Sequence, residues 1–493
     1  MGFTKCLYLV FIIITFECAK LFNAEFHDVG DTKLKENVTE CPKPEPSIDE
    51  FPSDPFTQEQ RIHGAIIVHL IVGFYCFVFI AFVCNDYFLP SVFCICQDLH
   101  LSHDVAGATF MATATCAPEL FVNIIGTYLT KSDLGIGTVV GSAVCNILGV
   151  TACAGLAASK NIKLELWPML RDSGIYISAV TILAVILADG VVDWSEALIL
   201  VILYFLYFVL MFTQKKMKTV AKKILTSKNS FSSTSSMDPI TNTASTDACY
   251  GTYRPFYFSD YIPHAEKPTT QNNEKIKEKS LNEEIEPICS PPGGFLLNIW
   301  WFISVPVSAV LSISIPDCRV YRKFYPLTFI VCVVWIGISS YVVSWMMTIF
   351  GYTYGINDAV MGITFLAIGG SIPEASSAVV NARHGVGSMT VSNALGANTL
   401  DILIGLGGPW LFKTLLPREL GGGPIVLETS GLTFNCVCLI VSVILLNTIT
   451  SMNSFNMNRL YGVFCLIFYF VFIILLILTD MNIIFTFGKS ICS

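Results

Sequence analysis

The sequence predicts an all-α polytopic membrane protein, with ten transmembrane helices in two inverted five-helix repeats plus an interfacial helix. Three observations predict it. The first is composition: the 493 residues are 53% hydrophobic and 13% charged, with a mean hydropathy of +0.64. Several runs reach the roughly 20 apolar residues that cross a bilayer, which excludes a set of ordinary soluble domains. The second is an internal repeat at a fixed offset of 255 residues. The segments GATFMATATCAPEL (107–120) and GSAVCNIL (141–148) recur without a gap as GITFLAIGGSIPEA (362–375) and GANTLDIL (396–403). Glu119 therefore aligns with Glu374 and Asn146 with Asp401. The third is the distribution of Lys and Arg between loops, which sets membrane orientation.

The N-terminus carries Lys5, an apolar run over 6–16, and small residues near Ala19 and Ala24. This pattern predicts a signal peptide over 1–24, an uncleaved anchor being the alternative. Residues 25–61 read as an extracytoplasmic segment, because Asn37-Val38-Thr39 is a glycosylation acceptor and too few apolar residues are present to fold alone. The first five-helix repeat is expected within 62–213, with spans near 64–88, 105–129, 136–158, 173–190 and 195–213. A polar segment, 214–293, follows. It holds the cluster Lys215, Lys216, Lys218, Lys222 and Lys223 and a Ser/Thr-rich tract over 230–246. It reads as a disordered cytoplasmic loop.

Segment 294–324 decides the topology. It is apolar, with Trp300, Trp301 and Pro306. If it crossed, Arg319, Arg322 and Lys323 would fall outside. If it lies in the interface as an amphipathic helix, they stay with the other basic residues inside. The second repeat is then expected within 325–493, with spans near 325–349, 358–380, 388–412, 426–448 and 459–480. Five crossings separate the two copies, so they run in opposite directions. Secondary transporters built this way place their sites where the repeats meet at midplane. Lys413 and Arg418 fall outside and are the exception to the charge rule.

Ionisable residues inside a bilayer are costly and mark function. Each copy has small or hydroxylic residues, then proline, then glutamate: Thr115, Cys116, Ala117, Pro118, Glu119 and Gly370, Ser371, Ile372, Pro373, Glu374. Proline removes a backbone donor, so carbonyls over 112–115 and 367–370 need another partner. With a carboxylate one turn away they form a hard oxygen site of the kind calcium and sodium prefer. Ser142 and Asn146 lie four apart, and Asn398 and Asp401 three apart, so each pair shares a helical face. Glu119, Glu374 and Asp401 carry a formal charge of −3 when ionised, matched by calcium plus one monovalent cation or by several sodium ions. A site that holds either load is an exchanger, with protons on the carboxylates as the alternative.

The net charge of −8 gives no reason to expect a nucleic-acid partner. The 18 cysteines show no metal spacing and read as small buried apolar residues, although Cys41 and Cys492 could face an oxidising side. Neither a nucleophile–base pair nor a phosphate loop stands out, so no enzyme and no cofactor is expected, and nothing resembles the pore loop of a channel.

These motifs resemble the alpha repeats of the cation/calcium exchanger superfamily, specifically the potassium-dependent sodium/calcium exchangers. The likeness extends through 84–92, 101–112, 131–150 and 325–356. It implies exchange of sodium for calcium plus potassium by alternating access, with those three ions and the bilayer as partners. It also implies residence in the plasma membrane or a secretory-pathway membrane. Carried over by position, Glu119 and Glu374 become the central calcium and sodium carboxylates. Thr115 and Ser371 become oxygen ligands, Ser142 and Asn146 the site wall, and Asp401 with Asn398 the potassium position. The chain departs from the family pattern where Cys116 replaces a serine, Ala114 a glycine, Gly370 a threonine and Ala397 a serine, and where Glu374 is one methylene longer than the usual aspartate.

Overall fold

A computed structural model describes residues 47–99, 112–130, 134–158, 161–228, 295–318, 322–383, 387–417, 422–427 and 432–481. The signal region, Asn37, Cys41, Cys492, Arg418 and most of the central loop lie outside the described residues. The protein is mostly helical. Among the described residues, eight runs are long and apolar enough to cross a membrane: Gln58–Asp98, Leu134–Ala157, Leu166–Asp189, Trp194–Met211, Arg322–Tyr354, Asp358–Arg383, Phe434–Met452 and Arg459–Asp480. Two expected spans are not among them. The span 105–129 is described only from Ala112, and 388–412 lies in helix from Gly387 to Leu415 but is diluted by Ser, Asn, Gly and Asp401.

Helices form here because a bilayer leaves the backbone no other donor or acceptor. Their outward faces are apolar: Ile71, Phe205, Ile330 and Phe470 are all more than half exposed, as lipid contact requires. Their inward faces carry the polar residues, including Ser142, Asn146, Ser344, Asn398 and Asp401, all buried.

Small residues let the central helices touch. A Cβ on Gly137 would lie 2.5 Å from the Ala359 carbonyl oxygen, and one on Gly141 2.4 Å from that of Ile363. One on Gly362 would lie 2.5 Å from the Leu134 carbonyl oxygen. Helix α1 (Leu134–Val144) thus meets the segment beginning at Asp358 backbone to backbone.

Two antiparallel ribbons tie the halves together at their loops. Strand β1 (Ile162–Lys163) pairs with β4 (Asn456–Met457), and β2 (Val191–Val192) with β3 (Ile425–Val426). Each joins a loop of the N-terminal half to one of the C-terminal half.

Three segments differ from the sequence reading or extend it. The helix Trp194–Lys228 runs 15 residues past the expected boundary at 213. The segment after the central loop is a helix, Phe295–Ser314, whose inner face (Val307, Leu311, then Ile315) is buried at four-residue spacing. Its other face, with Phe302 75% and Ile313 88% exposed, is apolar as well, so it is not amphipathic in the expected sense. Residues 47–61, expected to be unable to fold alone, are docked on the bundle. Phe51 is buried against Tyr341, Ser47 donates to Asp358, and Asp54 bridges Arg61 (3.0 Å) and His69 (3.2 Å).

Candidate ion-binding site

Both copies of the repeat break their helix at the same place and in the same way. Helix α2 (Ala112–Thr115) stops at Cys116, with φ −81° and ψ 2°, before α3 (Ala117–Ile125) begins. Helix α4 (Ala367–Gly370) stops at Ser371, with φ −81° and ψ 1°, before α5 (Ile372–Arg383). Cys116 and Ser371 are 255 apart. The cause is local: Pro118 and Pro373 have no N–H, so the carbonyls of Ala114 and Gly369 lose their usual helical donor. The new helices start immediately, with Leu120 N–H donating to the Cys116 carbonyl and Ala375 N–H to that of Ser371, both at 3.0 Å. Each glutamate stands in the first turn after its break.

The second halves of the repeats also match. A π-helical segment, Cys145–Val150, follows α1, and another, Asp401–Leu406, follows α6 (Gly387–Leu400), one residue later in the common register. Such segments recur at functional sites because they widen the helix and redirect side chains.

Glu119, Glu374 and Asp401 are 2%, 4% and 2% exposed. Glu119 lies in the field of both other carboxylates. Both Glu119 oxygens, Oε2 of Glu374, Oδ1 of Asp401, Oγ of Ser371 and Oδ1 of Asn146 have no hydrogen-bond partner. Every one of these unpartnered atoms is an oxygen. Buried polar atoms are rarely left unpaired, and buried unpaired carboxylates cost several kcal/mol each. Apart from the Ser371 hydroxyl, which can also donate, these are acceptors only, a set that suits hard cations better than anions. No three His, Cys, Asp or Glu side chains among the described residues stand close enough together to hold a metal. Neutral oxygens must therefore complete any ligand set.

The other expected residues are buried, several with partners the sequence did not show. Thr115 is buried. Ser142 is buried and donates to the Val139 carbonyl of its own helix (3.2 Å). Asn146 and Asn398, assigned to different ions, are in direct contact: Asn146 Nδ2 donates to Asn398 Oδ1 (2.9 Å). Asn398 Nδ2 donates in turn to the Ala143 carbonyl (3.1 Å), its own aligned position at offset 255.

Gly370 makes room for Glu119. A Cβ there would lie 2.9 Å from Glu119 Oε1, so the carboxylate occupies room that a side chain would need. Glu119, Gly370, Thr138 and Ser340 share the wall of one small cavity.

Sequence reasoning missed several polar groups. Asn123, one turn after Glu119, is buried, donates to the Gly405 carbonyl (3.2 Å), and leaves Oδ1 unpartnered. Its four-residue spacing from Glu119 in an apolar run was the available signal. Ser340, Ser344 and Thr348 form a buried stripe of unpartnered hydroxyls along the helix Tyr325–Tyr354. Serine and threonine are common in membrane helices, so only the missing partners single these out. Lys413, the exception to the charge rule, donates to the Thr127 carbonyl across the two halves, which gives it a structural use.

The chain is similar to known proteins. A model of the family described as sodium/calcium exchanger protein matches residues 69–213 and 324–478. Human sodium/potassium/calcium exchanger 4 is 33% identical, with 93% of this chain and 88% of that one covered. Human sodium/potassium/calcium exchanger 5 is 35% identical, with 88% of each chain covered. Among solved structures, the sodium-calcium exchanger NCX_Mj is similar at 17% identity and a TM-score of 0.44, covering 82% of this chain and 98% of that one.

A membrane protein with two matched helix breaks around buried acids and these relatives is a multi-pass ion transporter, not an enzyme. The chain belongs to the sodium/calcium exchanger family, in its sodium/potassium/calcium branch.

Proposed function

We propose that this protein is a secondary active antiporter that exchanges sodium for calcium plus potassium by alternating access. The observation that carries the reading is the set of unpartnered buried oxygens gathered around two identical helix breaks. Glu119 and Glu374, with Thr115, Ser371, Ser142 and Asn146, bind calcium and, in the other half of the cycle, sodium. Asp401 and Asn398 hold potassium. Asn146, aligned with Asp401, is neutral, so the third charge sits on one side only.

The expected architecture, ten helices in inverted repeats, is supported by parity. Strand pairing puts the loop at 162–163 and the loop at 456–457 on one side of the membrane. An even number of crossings must separate them, which holds if Phe295–Ser314 does not cross and fails if it does. The segments 1–24 as signal peptide, 25–61 with glycosylated Asn37 as extracytoplasmic, and the loop after Lys228 as cytoplasmic complete the reading. The buried hydroxyls Ser340, Ser344 and Thr348 lie along the helix whose Ser340 walls the Glu119 cavity and could serve as further neutral oxygen ligands.

Reconstituted vesicles test this. Calcium flux should follow an imposed sodium gradient and require potassium on the calcium side. Asp401→Asn should remove the potassium requirement while keeping part of the flux. Flux that is unchanged when choline replaces potassium sinks the potassium assignment. Flux driven by a pH gradient without sodium points instead to a proton-coupled divalent exchanger, the reading motivated by the hydroxyls missing at Cys116, Gly370 and Ala397.

A further inference from the structure

We infer that Cys116, Asp401 and the Ala397 carbonyl form a subsite for thiophilic divalent cations, of which cadmium is the probe. Cys116 sits at the break between α2 and α3, 5% exposed. Its Sγ donates to the Ala397 carbonyl oxygen at 3.4 Å, Asp401 follows Ala397 by one helical turn, and the segment Asp401–Leu406 packs against α3, which begins right after Cys116. Asp401 Oδ1 is buried without a partner, and so are both oxygens of Glu119, three residues beyond Cys116. Sulfur and carbonyl oxygen are thus in contact, with an unpartnered carboxylate oxygen one turn along the same helix.

A hydroxyl at this position would be one more hard donor for calcium, sodium or potassium. A sulfur is not. It contributes little to hard cations and strongly to soft ones. On binding, the S–H bond breaks and the sulfur's electron pair forms the S–Cd bond. The proton leaves to water, and no oxidant or reductant is involved. One thiolate and one carboxylate then balance the charge of the divalent ion. The ligand set is one sulfur and two or more oxygens, in keeping with the lack of any three-member group of His, Cys, Asp and Glu among the described residues. Because Asp401 is the proposed potassium position, the consequence for transport rests on that reading: cadmium competes with potassium.

The test uses the full chain purified in detergent. Cadmium-edge X-ray absorption at one equivalent of cadmium should show one sulfur neighbour and a remainder of oxygen. A shell of oxygen and nitrogen alone, or of several sulfurs, overturns the inference. Competition against a chelating dye should show cadmium affinity falling at least tenfold in Cys116→Ser and again in Asp401→Asn. Wild-type affinity in a folded Cys116→Ser protein overturns it equally. Where that variant does not fold, the wild-type absorption result decides. Neither measurement needs transport. Absent sodium-driven flux with this cadmium site intact refutes the proposed function alone, and normal flux without the site refutes this inference alone.

Discussion

At Gly370 the relation between sequence and site is steric. A threonine there would place a Cβ 2.9 Å from Glu119 Oε1, and that contact can be relieved only by moving the carboxylate. Gly370→Thr is therefore expected to fold, since the displaced group is the end of a flexible side chain, and to lower apparent calcium affinity about tenfold, roughly 1.4 kcal/mol. The calcium dependence of flux measures it. An increase in affinity would mean that the restored hydroxyl acts as a ligand and that Glu119 is not confined. Glu119 itself was legible in the sequence, because a carboxylate in an apolar run must have a reason to be there. Asn123 was not, because an asparagine in a membrane helix is as often a helix-to-helix hydrogen bond as a ligand. Only its unpartnered oxygen separates the two cases.

Among the elements, α1 is packed backbone to backbone. Its glycines bring backbone against backbone, and a side chain at Gly141 would meet the carbonyl oxygen of Ile363 at 2.4 Å and its Cα at 2.6 Å. Backbone cannot yield as a side chain does. Gly141→Val should destabilise the protein by at least the roughly 1–3 kcal/mol of an overpacked core, read as a lower thermal midpoint in detergent or as lost expression. Gly149→Ala in the following π segment is the control: its nearest neighbour would be Cys145 Sγ at 3.4 Å, and little change is expected. Equal damage from both would remove the argument from close approach. The matched breaks at Cys116 and Ser371 were foreseeable from Pro118 and Pro373, since proline's missing N–H acts within one turn. The π segments were not. Neither contains a proline, and the glycine at the fifth position of each, Gly149 and Gly405, is too common a residue in membrane helices to single them out.

For the molecule as a whole, the ribbons convert topology into a measurement. Lys163 and Asn456 are register partners, as are Val191 and Val426. In the ten-span topology the first pair faces the cytoplasm and the second the opposite side. Lys163→Cys with Asn456→Cys should form a cross-link absent from the parent. An impermeant thiol reagent applied to intact cells should modify Val426→Cys and spare Lys163→Cys. Modification of both from one side would overturn the topology.

The sequence by itself determined the membrane class, the repeat and the acids Glu119, Glu374 and Asp401. Hydropathy, offset and the cost of a buried charge are properties that a chain displays without folding. Tertiary structure decided what surrounds those acids: Gly370 making room for Glu119, Asn146 bonded to Asn398, and Cys116 bonded to the Ala397 carbonyl one turn before Asp401. The physical reason is range. Composition and proline act within a turn, whereas every one of these contacts joins residues more than 250 positions apart, brought together only when the two halves pack.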